Sequence, residues 1–211
     1  MNPHGARGVE WDGDWGDNSD KWNQRIKNRV HYVDKEDGAF WMGLNDFVEQ
    51  YKNIYICRQF DPAKWKSVEL QGKWEGESAA GLPSRANPKC KLENNPHFSV
   101  RVGKPCSLFI LVTQAEALDT FKGKLPIMFL LLKNKGKRLV KLKRDLIVGQ
   151  SGNPTNLKTI TAEIPLDNSL SYPYTFSLMV ASAVAGERGE SAFTVKVYST
   201  SPLQVKPIPA A

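Results

Sequence analysis

The segment from residue 67 onward most strongly constrains the fold, because short apolar or alternating stretches recur in it between clusters of turn-forming residues. At 98–102, 159–164 and 193–198, apolar and polar side chains alternate, which is typical of a strand with one buried face. Candidate strands lie at 68–74, 98–102, 107–113, 127–133, 139–148, 158–164, 175–181 and 192–199. Eight short strands with no convincing helix between them predict an antiparallel β-sandwich of roughly 130–140 residues.

The residues before this segment have a different texture. Glycine and aspartate punctuate the first thirty residues, and three tryptophans there, Trp11, Trp15 and Trp22, predict ordered loops that pack against something. The helical spacing of apolar residues at 44–51 predicts a two-turn helix, with Gly43 as its N-cap. Short strands are predicted at 40–42 and 53–57, and Asp61-Pro62 then breaks the pattern. We therefore expect an α+β part at 1–60 and an all-β domain at 61–211, so the chain is mostly β.

Charge and cysteine content narrow the function classes. Residues 1–58 carry 8 Lys and Arg against 10 Asp and Glu, net −2, whereas residues 59–211 carry 21 against 12, net +9. Because their net charges are opposite in sign, the two parts are expected to bind different partners. The longest apolar runs are about six residues, far below the roughly 20 needed to span a bilayer. Three cysteines without paired spacing make a disulfide framework or zinc site improbable and favour a reducing, cytoplasmic compartment.

Several motifs resemble the calpain-like cysteine proteases, a family of papain-type catalytic regions followed by a C2-like β-sandwich. In the first part these motifs are Asn2-Pro3-His4-Gly5, Val9-Glu10-Trp11, Asp14-Trp15-Gly16-Asp17, Glu36-Asp37-Gly38-Ala39-Phe40-Trp41-Met42 and Asp46-Phe47. In the second they are Trp74, Gly76, Ala80-Gly81, Asn95-Pro96-His97-Phe98, Gln114, Tyr172-Pro173-Tyr174 and 193–199. The matches follow the family order along nearly the whole chain. The resemblance implies the α+β tail of a papain-like subdomain followed by an eight-stranded C2-like sandwich.

The same resemblance makes Asn2 the orienting member of a Cys-His-Asn triad. Such a residue accepts a hydrogen bond from the histidine and so fixes its tautomer while the cysteine attacks the peptide bond. In the family the cysteine and histidine precede the asparagine, so both are expected upstream of residue 1. His4 replaces a family tryptophan that shields the active site.

Two readings therefore stay open. In the first, the chain is a fragment of an intracellular endopeptidase that cleaves protein substrates, it is inactive alone, and its partner is the upstream protease region. In the second, it is part of a non-catalytic calpain-like protein whose sandwich binds membranes or other proteins.

A calcium site is also implied by the resemblance. Its ligands would be Glu10, Asp17 and Asp37, with the main-chain carbonyl of Lys35, because calcium takes about six to eight oxygen ligands. Ala39 stands where the family has a glutamate, so any such site should be weak. Solvated acids on a turn-rich surface are the alternative.

A dense basic run completes the set of candidate sites. Seven cations lie within twelve residues, with a hairpin-like turn at 134–137: Lys133, Lys135, Lys137, Arg138, Lys141, Lys143 and Arg144. They fit either a solvated sheet face or attraction to an anionic phospholipid membrane, worth about 1 kcal/mol per cation near the surface. A nucleic-acid partner is not expected, because aromatic residues do not interleave with the cations.

Overall fold

The computed structural model describes residues 11–33, 39–54, 56–115 and 124–210. The chain divides into two compact units, Met1–Gln59 and Phe60–Ala211. Within the described residues, no helix is both long and apolar enough to cross a membrane.

The first unit contains two short helices, α1 (Gln24–Val30) and α2 (Leu44–Gln50). Helix α2 confirms the predicted helix, with Gly43 at its N-cap. Helix α1 was not predicted, although the side chain of Asn23 caps it by accepting a hydrogen bond from the amide of Ile26 at 3.0 Å. The strands predicted at 40–42 and 53–57 are wrong for the described residues there, because these residues pair with no strand in the described part of the chain.

Three of the four tryptophans of the first unit, Trp15, Trp22 and Trp41, form an aromatic cluster around Trp22. The ring of Trp22 lies 5.3 Å from that of Trp15, 4.6 Å from Tyr32 and 6.3 Å from Trp41, measured between ring centroids. Its indole N–H donates to the carbonyl of Gly16 at 2.8 Å. Because each ring buries part of its neighbour, this cluster orders loops that contain little regular structure.

The second unit is an antiparallel β-sandwich, which confirms the predicted fold class. Its strands are β1 (Lys66–Trp74), β2 (His97–Val102), β3 (Cys106–Gln114), β4 (Ile127–Leu132), β5 (Ile147–Gln150), β6 (Thr159–Leu166), β7 (Tyr174–Ser182), β8 (Ser191–Ser199) and β9 (Leu203–Pro207). One sheet has the order β1-β8-β3-β6 and the other β5-β4-β7-β2-β9, and all neighbouring strands are antiparallel.

The main core lies between the two sheets and follows the predicted alternation. The apolar residues at 98, 100 and 102 on β2, and at 193, 195 and 197 on β8, are all buried. On β6, Ile160 and Ile164 are buried, whereas Thr161 and Glu163 face solvent. Burying a side chain of this size contributes roughly 1.5–3 kcal/mol, so these strands are held chiefly by their inner faces.

A second, smaller core covers the outer face of β4 and β7. It contains Leu92, Leu130, Leu132, Leu139, Met179 and Ala181. Strand β7 is consequently buried on both faces from Phe176 onward. Leu139 enters this cluster from the long connection between β4 and β5, which fixes the position of that connection.

Two elements differ from the sequence expectation. The strand predicted at 139–148 is a loop followed by one 3₁₀ turn (Arg144–Leu146) until β5 begins at Ile147, because Leu139 turns into the outer core and the alternating residues that follow it have no described strand beside them. Strand β9 was missed, and the described residues therefore form nine strands where eight were predicted. It pairs with β2 at the edge of its sheet, where a proline such as Pro207 is tolerated.

Candidate functional site

The connection between β4 and β5, residues 133–146, carries all seven predicted cations and is called the basic loop below. It begins with a tight turn in which Lys135 has a φ of 52°, Gly136 has a φ of 70°, and the amide of Lys137 donates to the carbonyl of Asn134 at 3.0 Å. Positive φ at both central positions defines a type I′ turn. At its far end the amide of Lys133 donates to the carbonyl of Leu146 at 2.7 Å, which closes the loop.

The base of the basic loop is fixed by buried contacts. Leu139 is 1% exposed, and its amide donates to Nε2 of His97 at 3.1 Å. Nδ1 of His97 lies 2.7 Å from the carbonyl oxygen of Asn95, so the ring is neutral, with Nδ1 as donor and Nε2 as acceptor. Burial lowers the pKa of His97 to about 4, and the nearby charge of Arg138 acts in the same direction. The hydroxyl of Ser177 also donates to the carbonyl of Lys137, at 2.7 Å.

Arg138 differs from the other six cations of the basic loop. Its guanidinium is half-buried and donates to main-chain carbonyls of two other segments. Those acceptors are Asn95 at 3.0 Å, Ile208 at 2.7 Å, Pro209 at 2.5 Å and Glu93. Arg138 therefore ties the loop to the turn before β2 and to the tail after β9, and its donors are directed inward.

The remaining cations lie on the outer side of the basic loop. Lys133, Lys135, Lys137, Lys141, Lys143 and Arg144 are all exposed. Two apolar residues stand among them, Val140 with 72% of its surface exposed and Leu142 with 44%. The structure thus brings six of the seven predicted cations onto one solvent-facing loop and adds two apolar side chains that sequence reasoning did not assign to the site.

The catalytic and calcium residues predicted in the first unit are described only in part. Asn2, Glu10, Lys35 and Asp37 lie outside the described residues. Asp17 is half-buried and accepts a hydrogen bond from the hydroxyl of Tyr32 at 3.5 Å. Across the ranges that the structure describes, no group of three or more His, Cys, Asp and Glu side chains is arranged to hold a metal ion.

The described cysteines are not paired with a histidine base. Cys57 is exposed, whereas Cys90 and Cys106 are half-buried. Burial raises the pKa of the Cys90 and Cys106 thiols, which disfavours the reactive thiolate. His97 has both ring nitrogens engaged with the main chain. These groups therefore do not assemble a nucleophile and base in the β-sandwich.

Comparison with known proteins indicates which family this chain resembles. The model of the calpain family cysteine protease matches residues 1–58. The rice protein "Calpain-type cysteine protease ADL1" is 27% identical over 96% of this chain, an alignment that continues through the β-sandwich. The chain is calpain-like. Human Calpain-8 is 34% identical over 52% of the chain, and the rat Calpain-1 catalytic subunit is 28% identical over 69%.

This calpain-like chain spans a small part of its relatives, 10% of the rice protein, 18% of human Calpain-8 and 20% of the rat subunit. Among solved structures, one titled "Israeli acute paralysis virus heated to 63 degree - full particle" covers 98% of each chain with a TM-score of 0.35 and 7% identity. A likeness that distant carries no argument about function.

In the calpain-like chain, the motifs that signalled the family also include structural residues of the sandwich. Gln114 is buried at the end of β3, where its Nε2 donates to the carbonyls of Leu125 at 2.9 Å and Leu157 at 2.8 Å. Its Oε1 accepts from the amide of Leu125 at 2.9 Å. Gln114 thereby fixes two connections to the end of one strand. Gln114 and His97 thus both hold the framework of the sandwich through hydrogen bonds to the main chain.

Proposed function

We propose that this chain is part of a calpain-like intracellular cysteine endopeptidase, carrying the triad asparagine and a β-sandwich of regulatory or targeting role. The observation that carries the proposal is the alignment with the rice relative, which runs through both units in one order. In this proposal Asn2 orients a histidine, and a cysteine activated by that histidine attacks the peptide bond of a protein substrate.

The surface of the first unit supports a protein partner that completes the catalytic region. Val33, Leu44, Val48, Ile54 and Ile56 are all exposed. Among the described residues up to 59, Gly16 is the one that is fully buried. Because a unit with so small a core gains little from folding alone, its apolar side chains favour burial against other protein. The preceding protease region of the same polypeptide is the proposed partner, and it would supply the cysteine and histidine.

The test compares the chain with a longer polypeptide that includes its upstream region. The 211-residue chain should hydrolyse casein or a fluorogenic peptide at the rate of buffer alone. The longer polypeptide should be active, and Asn2→Ala should lower its kcat by roughly 100-fold or more, because the histidine loses its orienting acceptor. Asn53→Ala, at an exposed position, is the matched control and should leave kcat unchanged. Turnover by the short chain that disappears on changing Cys57, Cys90 or Cys106 to Ala contradicts the proposal.

A second candidate function, binding to anionic phospholipid, is favoured by the six exposed cations of the basic loop. At about 1 kcal/mol for each cation near the surface, engagement of half of them gives roughly 3 kcal/mol. That is enough for weak, reversible attachment but not for stable anchoring. This function stands with or without catalysis, and it is the main activity if the protease region is a relic.

Vesicle sedimentation tests the second function. The chain should pellet with vesicles containing phosphatidylserine at low salt, and a smaller fraction should pellet at raised salt, because the field decays over about 8 Å at physiological ionic strength. Changing Lys137, Lys141 and Lys143 to Glu should abolish binding, whereas reversing the exposed Lys64, Lys66 and Lys89 should weaken it less. Equal binding to neutral vesicles would leave the basic loop as an ordinary solvated surface.

A calcium site is the third component of the proposal, and the described residues include few of its implied ligands. Of the four implied ligands, Asp17 alone lies within the described ranges, so the fit of the set rests on this one half-buried carboxylate. Ala39, described and exposed, offers no side-chain oxygen. We assign calcium no role in the chemistry of this chain.

A further inference from the structure

Val140 and Leu142 occupy an unusual position for apolar side chains. They alternate with Lys141 and Lys143 on the exposed part of the basic loop, with 72% and 44% of their surfaces open to solvent. Single exposed apolar residues are ordinary on protein surfaces. Two of them at i and i+2, each with a cation as neighbour, form an amphipathic tip.

The residues that precede the tip are fixed by buried contacts and hydrogen bonds. Leu139, the residue before Val140, is buried in the outer core and hydrogen-bonded through its amide to His97. Nδ2 of Asn134 donates to the carbonyls of Lys137 at 2.9 Å and Arg138 at 3.1 Å, which holds the turn against the chain that follows it. Because the base is already ordered, the exposed tip can bind a surface with little further loss of conformational freedom.

We propose that Val140 and Leu142 insert into the apolar boundary of an anionic lipid bilayer while Lys141, Lys143 and Arg144 contact the headgroups. The inference rests on the proposed lipid-binding function and adds to it a mode of attachment. Charge complementarity selects the occupant, because the cations that flank the apolar pair match an anionic surface whose interior accepts apolar side chains. Arg138 takes no part in the contact, since its donors bind main-chain carbonyls.

The dependence of binding on salt concentration distinguishes insertion of apolar side chains from electrostatic attraction alone. Attraction between exposed charges fades as salt is raised, whereas transfer of apolar surface out of water does not. Binding should therefore retain a component at raised salt. Since each side chain removes part of its apolar area from water, replacing both with serine should weaken binding by roughly 10- to 100-fold.

The experiment measures partition of the full 211-residue chain onto phosphatidylserine and phosphatidylcholine vesicles at low and raised salt. The test variant is Val140→Ser with Leu142→Ser. The control is Leu157→Ser, which removes an apolar side chain that is 60% exposed elsewhere on the sandwich. All three positions are exposed, so the variants should unfold at the temperature of the wild type, which is checked first. We expect the double variant to lose the salt-resistant component and the control to keep it.

Three results would overturn the inference. If the wild type does not bind anionic vesicles even at low salt, the proposed lipid function fails with it. If the wild type binds and the double variant binds equally well, insertion is wrong and the electrostatic function survives. If the wild type binds soluble poly-glutamate more tightly than vesicles, the partner of the tip is an acidic polypeptide rather than a bilayer.

Discussion

His97 and Arg138 share one acceptor, the carbonyl oxygen of Asn95, at 2.7 Å from Nδ1 of the imidazole and 3.0 Å from Nη1 of the guanidinium. His97 begins β2, whereas Arg138 lies in the basic loop. The other ring nitrogen of His97 accepts from the amide of Leu139, the next residue after Arg138. A doubly protonated imidazole would lose this last bond and face the arginine charge. The base of the basic loop therefore depends on a neutral histidine.

The first prediction concerns pH. The folded-state pKa of His97, about 4, lies below its ordinary value of 6.5, so the unfolded chain binds the proton more tightly. The contribution of His97 to the free energy of unfolding is full above about pH 6.5 and is lost as pH falls toward 4. The difference between the two pKa values amounts to roughly 3 kcal/mol. Urea unfolding of the sandwich, followed by circular dichroism at several pH values, measures this loss.

Two variants separate the effect of His97 on the pH dependence of stability from the effect of the carboxylates, which also titrate in this range. His97→Gln stays neutral at every pH, so its deficit in stability relative to wild type should be largest at pH 7 and shrink by about 3 kcal/mol near pH 4. His31→Asn is the control, because His31 is exposed and asparagine tolerates its φ of 53°. If the difference in the free energy of unfolding between wild type and His97→Gln is the same at every pH, the ring of His97 is not the titrating group.

The second prediction concerns Arg138, whose guanidinium donates to four carbonyls of two segments. Arg138→Lys keeps the charge, but one ammonium group cannot reach all four acceptors, so we expect a loss of about 2–3 kcal/mol in the free energy of unfolding. The amide of Ile208, which donates to the carbonyl of His97 at 2.8 Å, should exchange its hydrogen faster. Arg144→Lys, at an exposed position, should change neither quantity. Unchanged exchange at Ile208 in Arg138→Lys would mean that the tail is held by other contacts.

The sandwich could be predicted from the sequence because its strands have one buried face. The alternation at 98–102 reports that face directly, since each apolar residue there enters the core. The same local pattern at 141–143 occurs in a loop, because alternation alone does not tell whether a partner strand is present. In β9, Pro207 obscured an edge strand whose alternating residues Leu203 and Val205 contact the core.

The site was predictable to the extent that it depends on local composition. A run of lysines is exposed wherever the chain places it, so the exposure of six cations could be predicted. The role of Arg138 was not, because its acceptors at Glu93 and Pro209 lie 45 and 71 residues away in the sequence. The same holds for His97, which is 42 residues from Leu139. Contacts between residues this far apart in the sequence depend on the packing of the sheets and leave no local pattern in the sequence.

The third prediction concerns calcium in the first unit. If Glu10, Asp17, Asp37 and the carbonyl of Lys35 bind the ion, the set lacks the carboxylate that the family carries at the position of Ala39. Because affinity for calcium rises with the number of charged ligands, we expect no binding tighter than about 10⁻⁴ M by titration calorimetry.

Paired substitutions identify any heat signal that does appear. Asp37→Ala removes a proposed ligand, whereas Asp20→Ala removes an exposed carboxylate outside the set and serves as the control. A low-micromolar site that Asp37→Ala abolishes and Asp20→Ala preserves would show that the remaining ligands suffice without a glutamate at position 39.

The fourth prediction tests the turn that starts the basic loop. Gly136 has a φ of 70°, and a Cβ atom added there would lie 2.9 Å from Cγ2 of Thr175. Gly136→Ala therefore combines a left-handed backbone with a close contact, and we expect it to lower the free energy of unfolding by about 1–2 kcal/mol. Gly103→Ala is the matched control, because its Cβ would meet only the hydroxyl of Ser201 at 3.8 Å and its φ is not positive. Chemical denaturation of both variants measures the difference in their free energies of unfolding. Equal stability of the two would mean that the turn relaxes to another conformation in Gly136→Ala. The position of the tip at Val140 would then no longer be set by this turn.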